Sequence, residues 1–380
     1  MRKSVFCLVA IMVFVLFSLP VMAEESMEQR VKSLEDKIKK LEESKPSVNV
    51  LKLFEGLELS GFVDTSYVYD DNSGSSSFSL DEFELDIEKT LSNRASLRAD
   101  INFRKVDYDD GDSFDFDDIM EQGYITYTAP IGDDMTFTFG KFNAPIGFEL
   151  LDAPDMYQFS HALVFDYGLP TNLTGLMSSF DIGKTIDVTL YVVNGWDVSS
   201  DNNTDKTVGG RIGFTPVENI NFGISGIYGA EKDDNNHDKR SVIDLDATIT
   251  PLESLLIGAE FNYGTEDEAS LKDAEHDADW FGTLIMAHYD FTGWMGLTVR
   301  YDYFDDKEGS RIGLVEGGVD IGEAVKMQAL TIAPTFTIAD GAGFLVEYRY
   351  DFADKDYFED ADGKYKNNNH TVALEFTYSF

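Results

Sequence analysis

Charged side chains two residues apart recur along this sequence: Asp244 with Asp246, Arg300 with Asp302, Glu347 with Arg349, Arg98 with Asp100. In an extended chain that spacing puts both groups on one face. The chemistry such rows can do is electrostatic: they make a charged wall, not a reacting centre. Catalytic sets are wanting. The five histidines are His161, His237, His276, His288 and His370, and none sits in a nucleophile or metal motif. His288 shares a face with Asp290 and Asp302, which suits a satisfied structural histidine. No glycine-rich phosphate loop occurs, and the single cysteine, Cys7, gives neither a disulfide nor a thiol cluster. The expectation is a protein without catalytic residues, cofactor or transition metal. Asp107 to Asp112, with Asp115, Asp117 and Asp118, gathers carboxylates but lacks the twelve-residue calcium-loop pattern. A solvated loop, rather than a defined calcium site, is the preferred reading.

The elements that must position these rows are strands. Leu57, Leu59, Val63, Tyr67 and Tyr69 alternate with Glu58, Ser60, Asp64 and Ser66. The same alternation sets Arg94, Arg98 and Arg104 against Leu97 and Ile101, Asp244 and Asp246 against Ile243 and Leu245, and Arg300 and Asp302 against Val299 and Tyr301. It also sets Glu347, Arg349 and Asp351 against Tyr348 and Tyr350. Roughly sixteen such runs of about ten residues occur, the length a tilted strand needs to cross a bilayer. They start near residues 57, 78, 94, 120, 135, 173, 185, 207, 220, 241, 255, 279, 296, 326, 343 and 369. Short connections such as Ser92-Asn93 and Gly183-Lys184 alternate with long ones rich in Asp, Asn and Gly. That pattern predicts an all-β fold: a transmembrane antiparallel β-barrel of about 16 strands over residues 57–380. A soluble sandwich or propeller requires neither this alternation of loop lengths nor aromatic strand ends.

The two ends of the chain fit. Arg2 and Lys3 precede an apolar run from Val5 to Leu19, and Ala23 offers a cleavage point, so residues 1–23 read as a signal peptide. In residues 24–45, Met27, Val31, Leu34, Ile38 and Leu41 form a heptad seam, expected to be a short periplasmic coiled-coil helix that helps a homo-oligomer associate. Residues 46–56 are a linker. At the other end Val372, Leu374, Phe376, Tyr378 and Phe380 line one face of the last strand. Phe376, Tyr378 and Phe380 are the expected signal to the barrel-assembly machinery. An even strand number leaves both termini on the periplasmic side.

The formal charge is -40, with 70 acidic against 30 basic side chains, and losing Arg2 and Lys3 makes it more negative. No nucleic-acid partner is expected. Aromatics at 13% exclude an acidic disordered chain. Residues facing inward set a barrel's selectivity. The inward candidates are Arg98, Arg211, Arg300, Arg349, Asp244, Asp246, Glu260, Asp302 and Glu347, with Asp64, Glu84, Asp86 and Glu375 on the same faces. Acids outnumber bases, so a weak cation preference is expected. The longest connection, Asn143 to Asn172, carries Phe148, Leu150, Leu151, Met156, Tyr157, Phe159, Leu163 and Phe165. That is too apolar for a solvated loop. It is expected to fold into the barrel as a constriction, with Glu149, Asp152, Asp155, His161 and Asp166 facing the pore. Capping the barrel mouth or packing on a neighbouring subunit is the alternative.

Two stretches carry a family likeness. One is Gly140-Lys141-Phe142-Asn143-Ala144-Pro145-Ile146-Gly147-Phe148-Glu149, with Gly168-Leu169-Pro170 after it; the other is Val193-Asn194-Gly195-Trp196-Asp197, then Gly209-Gly210-Arg211-Ile212-Gly213-Phe214. Through them the chain resembles the β-barrel porin-2 (OmpL-like) family over residues 57–380. The resemblance implies a porin in the outer membrane of a Gram-negative bacterium, passing small hydrophilic solutes or ions and surrounded by lipid and lipopolysaccharide. It carries no substrate and no site residue. The competing reading is a plugged structural or adhesive barrel without a conducting pore.

Overall fold

In the computed structural model the described residues are Lys32, Lys37, 54–104, 119–273, 275–312 and 322–380. The signal peptide, the Asp107–Asp118 loop and, apart from Lys32 and Lys37, the coiled-coil segment lie outside them. Lys32 and Lys37 are helical and exposed.

Residues 56–380 form one unit. Its first eight strands are β1 (Leu57–Asp70), β2 (Ser76–Ser92), β3 (Ala95–Asn102), β4 (Met120–Ala129), β5 (Met135–Asn143), β6 (Asn172–Ile182), β7 (Ile186–Val193) and β8 (Thr207–Val217). Then come β9 (Ile220–Ala230), β10 (Lys239–Leu252), β11 (Leu255–Glu266), β12 (Ala278–Thr292), β13 (Met295–Asp306), β14 (Val325–Ala339) and β15 (Ala342–Ala353). A two-strand flap, β16 (Phe358–Glu359) and β17 (Tyr365–Lys366), decorates the loop before β18 (Asn368–Ser379). β1 to β15 and β18 pair with their neighbours, all antiparallel, and β1 closes on β18 to give a sixteen-strand barrel. Each strand starts within two residues of its predicted position.

The period-2 pattern forces this arrangement. Outward positions are apolar and exposed, as at Leu59, Ile243, Leu245, Ile285 and Val299. Their inward neighbours Asp64, Asp100, Asp244, Arg300 and Glu347 are buried. Closure removes every sheet edge, which a spanning structure in hydrocarbon requires. Seven short turns share one rim with both ends of the barrel unit, and the long loops sit at the other. Gly183 (φ 70°) and Gly341 (φ 76°) supply the left-handed backbone of two of those turns. Aromatic side chains ring the short-turn rim, where Trp294, Phe336 and Phe344 stack in sequence at 6.2 and 5.9 Å. Phe376, Tyr378 and Phe380 point outward and are exposed. Phe380 is stitched to Gly61 by backbone bonds of 3.0 and 3.2 Å, so the last residue takes part in closure.

Candidate functional site: an inward loop and an acid-lined cavity

The loop between β5 and β6 crosses the barrel interior to strands half-way round the ring. It holds a short 3-10 turn (Ala153–Asp155) and one helix, α1 (Leu163–Gly168). Its anchor is Arg300, which is fully buried. The Arg300 guanidinium donates to Glu149 Oε1 (2.7 Å), Asp302 Oδ2 (3.0 Å), and the carbonyls of Ser160 (2.6 Å) and His161 (3.0 Å). Arg349 pairs with Asp351 at 2.8 Å and also holds the His161 carbonyl, at 2.7 Å. The loop in turn donates its backbone to the wall. Leu163 N–H reaches Asp302 (3.1 Å), Ser160 N–H reaches Glu347 (3.1 Å) and Phe148 N–H reaches Glu260 (2.8 Å). These are charge-assisted bonds in a buried setting, where each is stronger than in water.

Apolar packing completes the docking. Facing inward on β12 are Trp280, Gly282, Leu284 and Met286, all buried. Ala162, Val164, Phe148 and Tyr157 of the loop pack there. Leu163 joins a second cluster with Trp280, Phe304, Ile312 and Met327. Each large apolar side chain buried this way contributes about 1.5–3 kcal/mol. Gly258 makes room for the loop, because a Cβ there would lie 2.0 Å from the Phe148 ring.

Glu149 shows the electrostatics of the anchor. Burial alone would raise its pKa, but Arg300, His161 and the Ala162 N–H outweigh that and hold it at about 2. Asp152, three residues on, goes the other way. Burial and then Glu121, Glu82 and Asp155 push it up to about 7.

Beside the loop, against β1, β2 and β18, lies an open cavity of about 440 Å³. Asp64, Asp81, Glu82 and Glu375 line it with Arg104 and His161, so carboxylates outnumber cations. Arg104 spans Glu82 (2.9 Å) and Glu121 (2.6 Å), and Arg98 holds Asp100 at 2.8 Å. A second cavity of about 400 Å³ lies on the loop's other side, lined by Phe148, Leu150, Tyr157, Leu256 and Met286 together with the carboxylates Glu149 and Asp155. Segment 148–161 therefore divides the interior.

The residues singled out in the sequence fall into two groups. Glu149, Asp244, Asp246, Glu260, Arg300, Asp302, Glu347 and Arg349 face inward but are buried, most of them beneath the loop. Arg211 is half-buried and paired with Asp246. Arg98, Asp152 and His161 are partly open, and Asp155 and Asp166 are exposed. His161 stacks on Phe165 at 4.0 Å. His288 bonds Thr298 (2.9 Å) and Asp290 (3.2 Å), a satisfied structural histidine. Sequence reasoning missed Asp81, Glu82 and Glu121 as cavity or wall residues, and the inward apolar row of β12. The signal for the latter was present: Trp280, Leu284 and Met286 on one face and Phe281, Ile285 and Tyr289 on the other make β12 apolar on both sides.

The barrel overlays several solved outer-membrane proteins at low sequence identity. The outer membrane channel DcaP of Acinetobacter baumannii matches with TM-score 0.61 and 15% identity, covering 85% of this chain and 97% of that one. OmpT of Vibrio cholerae matches at 0.58 and 12%, covering 85% and 97%. The anion-selective porin from Comamonas acidovorans matches at 0.58 and 11%, covering 85% and 99%. These likenesses speak for the fold. Comparison with curated protein sequences gave no significant match. Residues 56–380 match the model of the family described as "Putative beta-barrel porin-2, OmpL-like", and the chain belongs to that family of outer-membrane β-barrels.

Proposed function

We propose that the protein is a diffusion channel for small hydrophilic solutes and ions, with weak cation preference, conducting along the acid-lined side of the loop. The observation that carries this is the docked loop. By fastening to β11–β15 it fills much of that side, leaves a smaller cavity against Leu256 and Met286, and sets apart the cavity lined by Asp64, Asp81, Glu82 and Glu375. Excess negative charge at a narrow point raises local cation concentration. The Comamonas acidovorans porin is anion-selective by description; the charge balance here favours the opposite sign. On this reading Asp152, His161 and Arg98 border the path, while Asp155 faces the second cavity. Arg300, Arg349, Asp302, Glu347, Glu260 and Glu149 fix the loop, and Asp244, Asp246 and Arg211 stiffen the wall.

The wider proposal keeps residues 1–23 as a leader and 24–45 as a periplasmic helix that supports a homo-oligomer, with both termini periplasmic. Phe376, Tyr378 and Phe380 address the assembly machinery. A plugged barrel is favoured by one observation, the packed cluster of Trp280, Phe304, Leu163 and Ile312 inside the lumen. Planar-bilayer recording of the refolded protein in a salt gradient separates the two. Steady steps with a cation-favouring reversal potential support the channel. Anion-favouring steps contradict the lining argument, and silence from folded, inserted protein replaces the channel with the plug.

A further inference from the structure

Three polar side chains on β10 and β11, under the inward loop, hold buried atoms without a hydrogen bond of good geometry. Asp244 and Asn262 face each other across the ladder, and both are fully buried. Glu260, two residues before Asn262, is buried as well. Both oxygens of Asp244, Glu260 Oε1 and both amide atoms of Asn262 make no hydrogen bond of good geometry. Only Glu260 Oε2 is engaged, by Phe148 N–H at 2.8 Å. Arg211 is committed to Asp246. Two carboxylates therefore share one enclosed space with no counter-charge bonded to either, an arrangement with a large desolvation cost.

The loop roofs this space with glycine at two points. A Cβ on Gly168 would lie 3.0 Å from Asn262 Oδ1, and one on Gly147 would lie 3.5 Å from Glu260 Oε1. Gly147 also has φ 89°, so a larger residue is disfavoured there twice over. The cradle offers carboxylate and amide oxygens, no nitrogen or sulfur ligand, and a formal charge of two that a divalent ion cancels and a monovalent ion does not.

We propose that Asp244, Glu260 and Asn262 bind a hard divalent cation of the calcium type, which locks β10 and β11 to the inward loop. Because Glu260 also holds the Phe148 N–H, an ion at this site fixes loop and wall together, and its binding stabilises the folded barrel. The other carboxylate groupings, Glu84 with Asp86 and Asp100 and Glu84 with Glu121 and Asp152, differ in having Arg98 and Arg104 bonded to Asp100 and Glu121.

The test uses the refolded full barrel, with folding scored by heat-modifiable gel mobility. After stripping with chelator and reloading with calcium, gel-filtered protein is assayed for metal content. Terbium is then added, and its luminescence is excited through tryptophan; Trp280 faces inward on the adjoining strand β12. The expected result is one retained calcium per chain, sensitised terbium emission that calcium displaces, and a melting temperature that rises with calcium. Asp244→Asn with Glu260→Gln loses all three, Asn262→Val weakens binding at least severalfold, and Glu84→Gln leaves binding intact. Folded wild-type protein with neither retained metal nor terbium emission overturns the proposal and assigns the carboxylate pair a shared proton. Undiminished emission from both the double variant and Asn262→Val overturns it too, by putting the ion elsewhere. These readouts are independent of conductance, so their failure is distinct from a failure of the channel reading.

Discussion

The two sides of the barrel interior are built on opposite principles. Around β11–β15 the inward positions mix apolar residues with buried charges, most of them bonded to an opposite charge or to the loop that covers them. Around β1, β2 and β18 the inward positions are acidic and line a cavity, half-buried Asp81 and Glu82 beside buried Asp64 and Glu375. A strand facing water on its inner side keeps that face polar, whereas one covered on both sides can be apolar throughout. β12 obeys the second rule and β2 the first. The asymmetry teaches where a path can run. A loop fastened by a buried arginine fills most of one side; on the proposed reading the acidic side is the conduit, and its charge sets the selectivity.

Removing the loop segment 150–158 erases the difference between the sides, and conductance should rise severalfold with a loss of ion preference, read from single-channel steps. Arg300→Ala comes next. It leaves Glu149 and Asp302 buried without their cation, at a cost of about 3–5 kcal/mol to loop docking. The expected outcome is noisy, enlarged conductance with an earlier thermal transition; an unchanged channel would mean that the apolar contacts alone hold the loop. Sharpening rather than breaking the contrast, Glu82→Gln with Glu375→Gln should roughly halve the cation-to-anion permeability ratio. The same pair of changes should leave the melting temperature nearly unaltered.

The smallest effect is pH-dependent, and it separates two carboxylates on one loop. Asp152 stands near 7 because burial and neighbouring acids favour its proton. Raising pH from about 6 to 8 ionises it, so cation preference should increase over that range, and Asp152→Asn should flatten the change. Its contribution to docking is full below the ordinary carboxylate range and is lost as pH rises through 7. Glu149, held near 2, has the opposite sign. Its contribution is full above the ordinary range and is lost as pH falls toward 2. Loop noise should therefore grow at strongly acid pH, and Glu149→Gln should show that noise already at neutral pH.

Much of the barrel was legible because alternation is a local property. A bilayer outside and polar groups inside force period 2 on every spanning strand, so starts and faces could be read at Asp64, Asp244, Arg300 and Glu347. The loop's inward course was legible from its excess of Phe, Leu and Met. What covers what was not legible. Period 2 tells that Arg300 and Glu260 face the lumen, but not that residues far away in sequence, Glu149 and Phe148, would seal them there. Nor does it distinguish Glu82, which borders the open cavity, from Asp302, which is shut beneath Leu163. Such distinctions arise from contacts across the full width of the barrel, for which a single strand carries no record beyond the doubly apolar pattern of β12 and the gap at Gly258.

The central claim, that ions pass on the acidic side, is tested most directly by accessibility of introduced thiols during conduction. Cys7 is the sequence's only native cysteine, and with it absent a cationic thiol reagent can be applied to Glu82→Cys and to Thr331→Cys in turn. Modification at Glu82→Cys is expected to block or sharply reduce the current, while Thr331→Cys, fully buried beside Arg300, conducts unchanged. Block at Thr331→Cys with none at Glu82→Cys would put the path on the side assigned here to the closed wall.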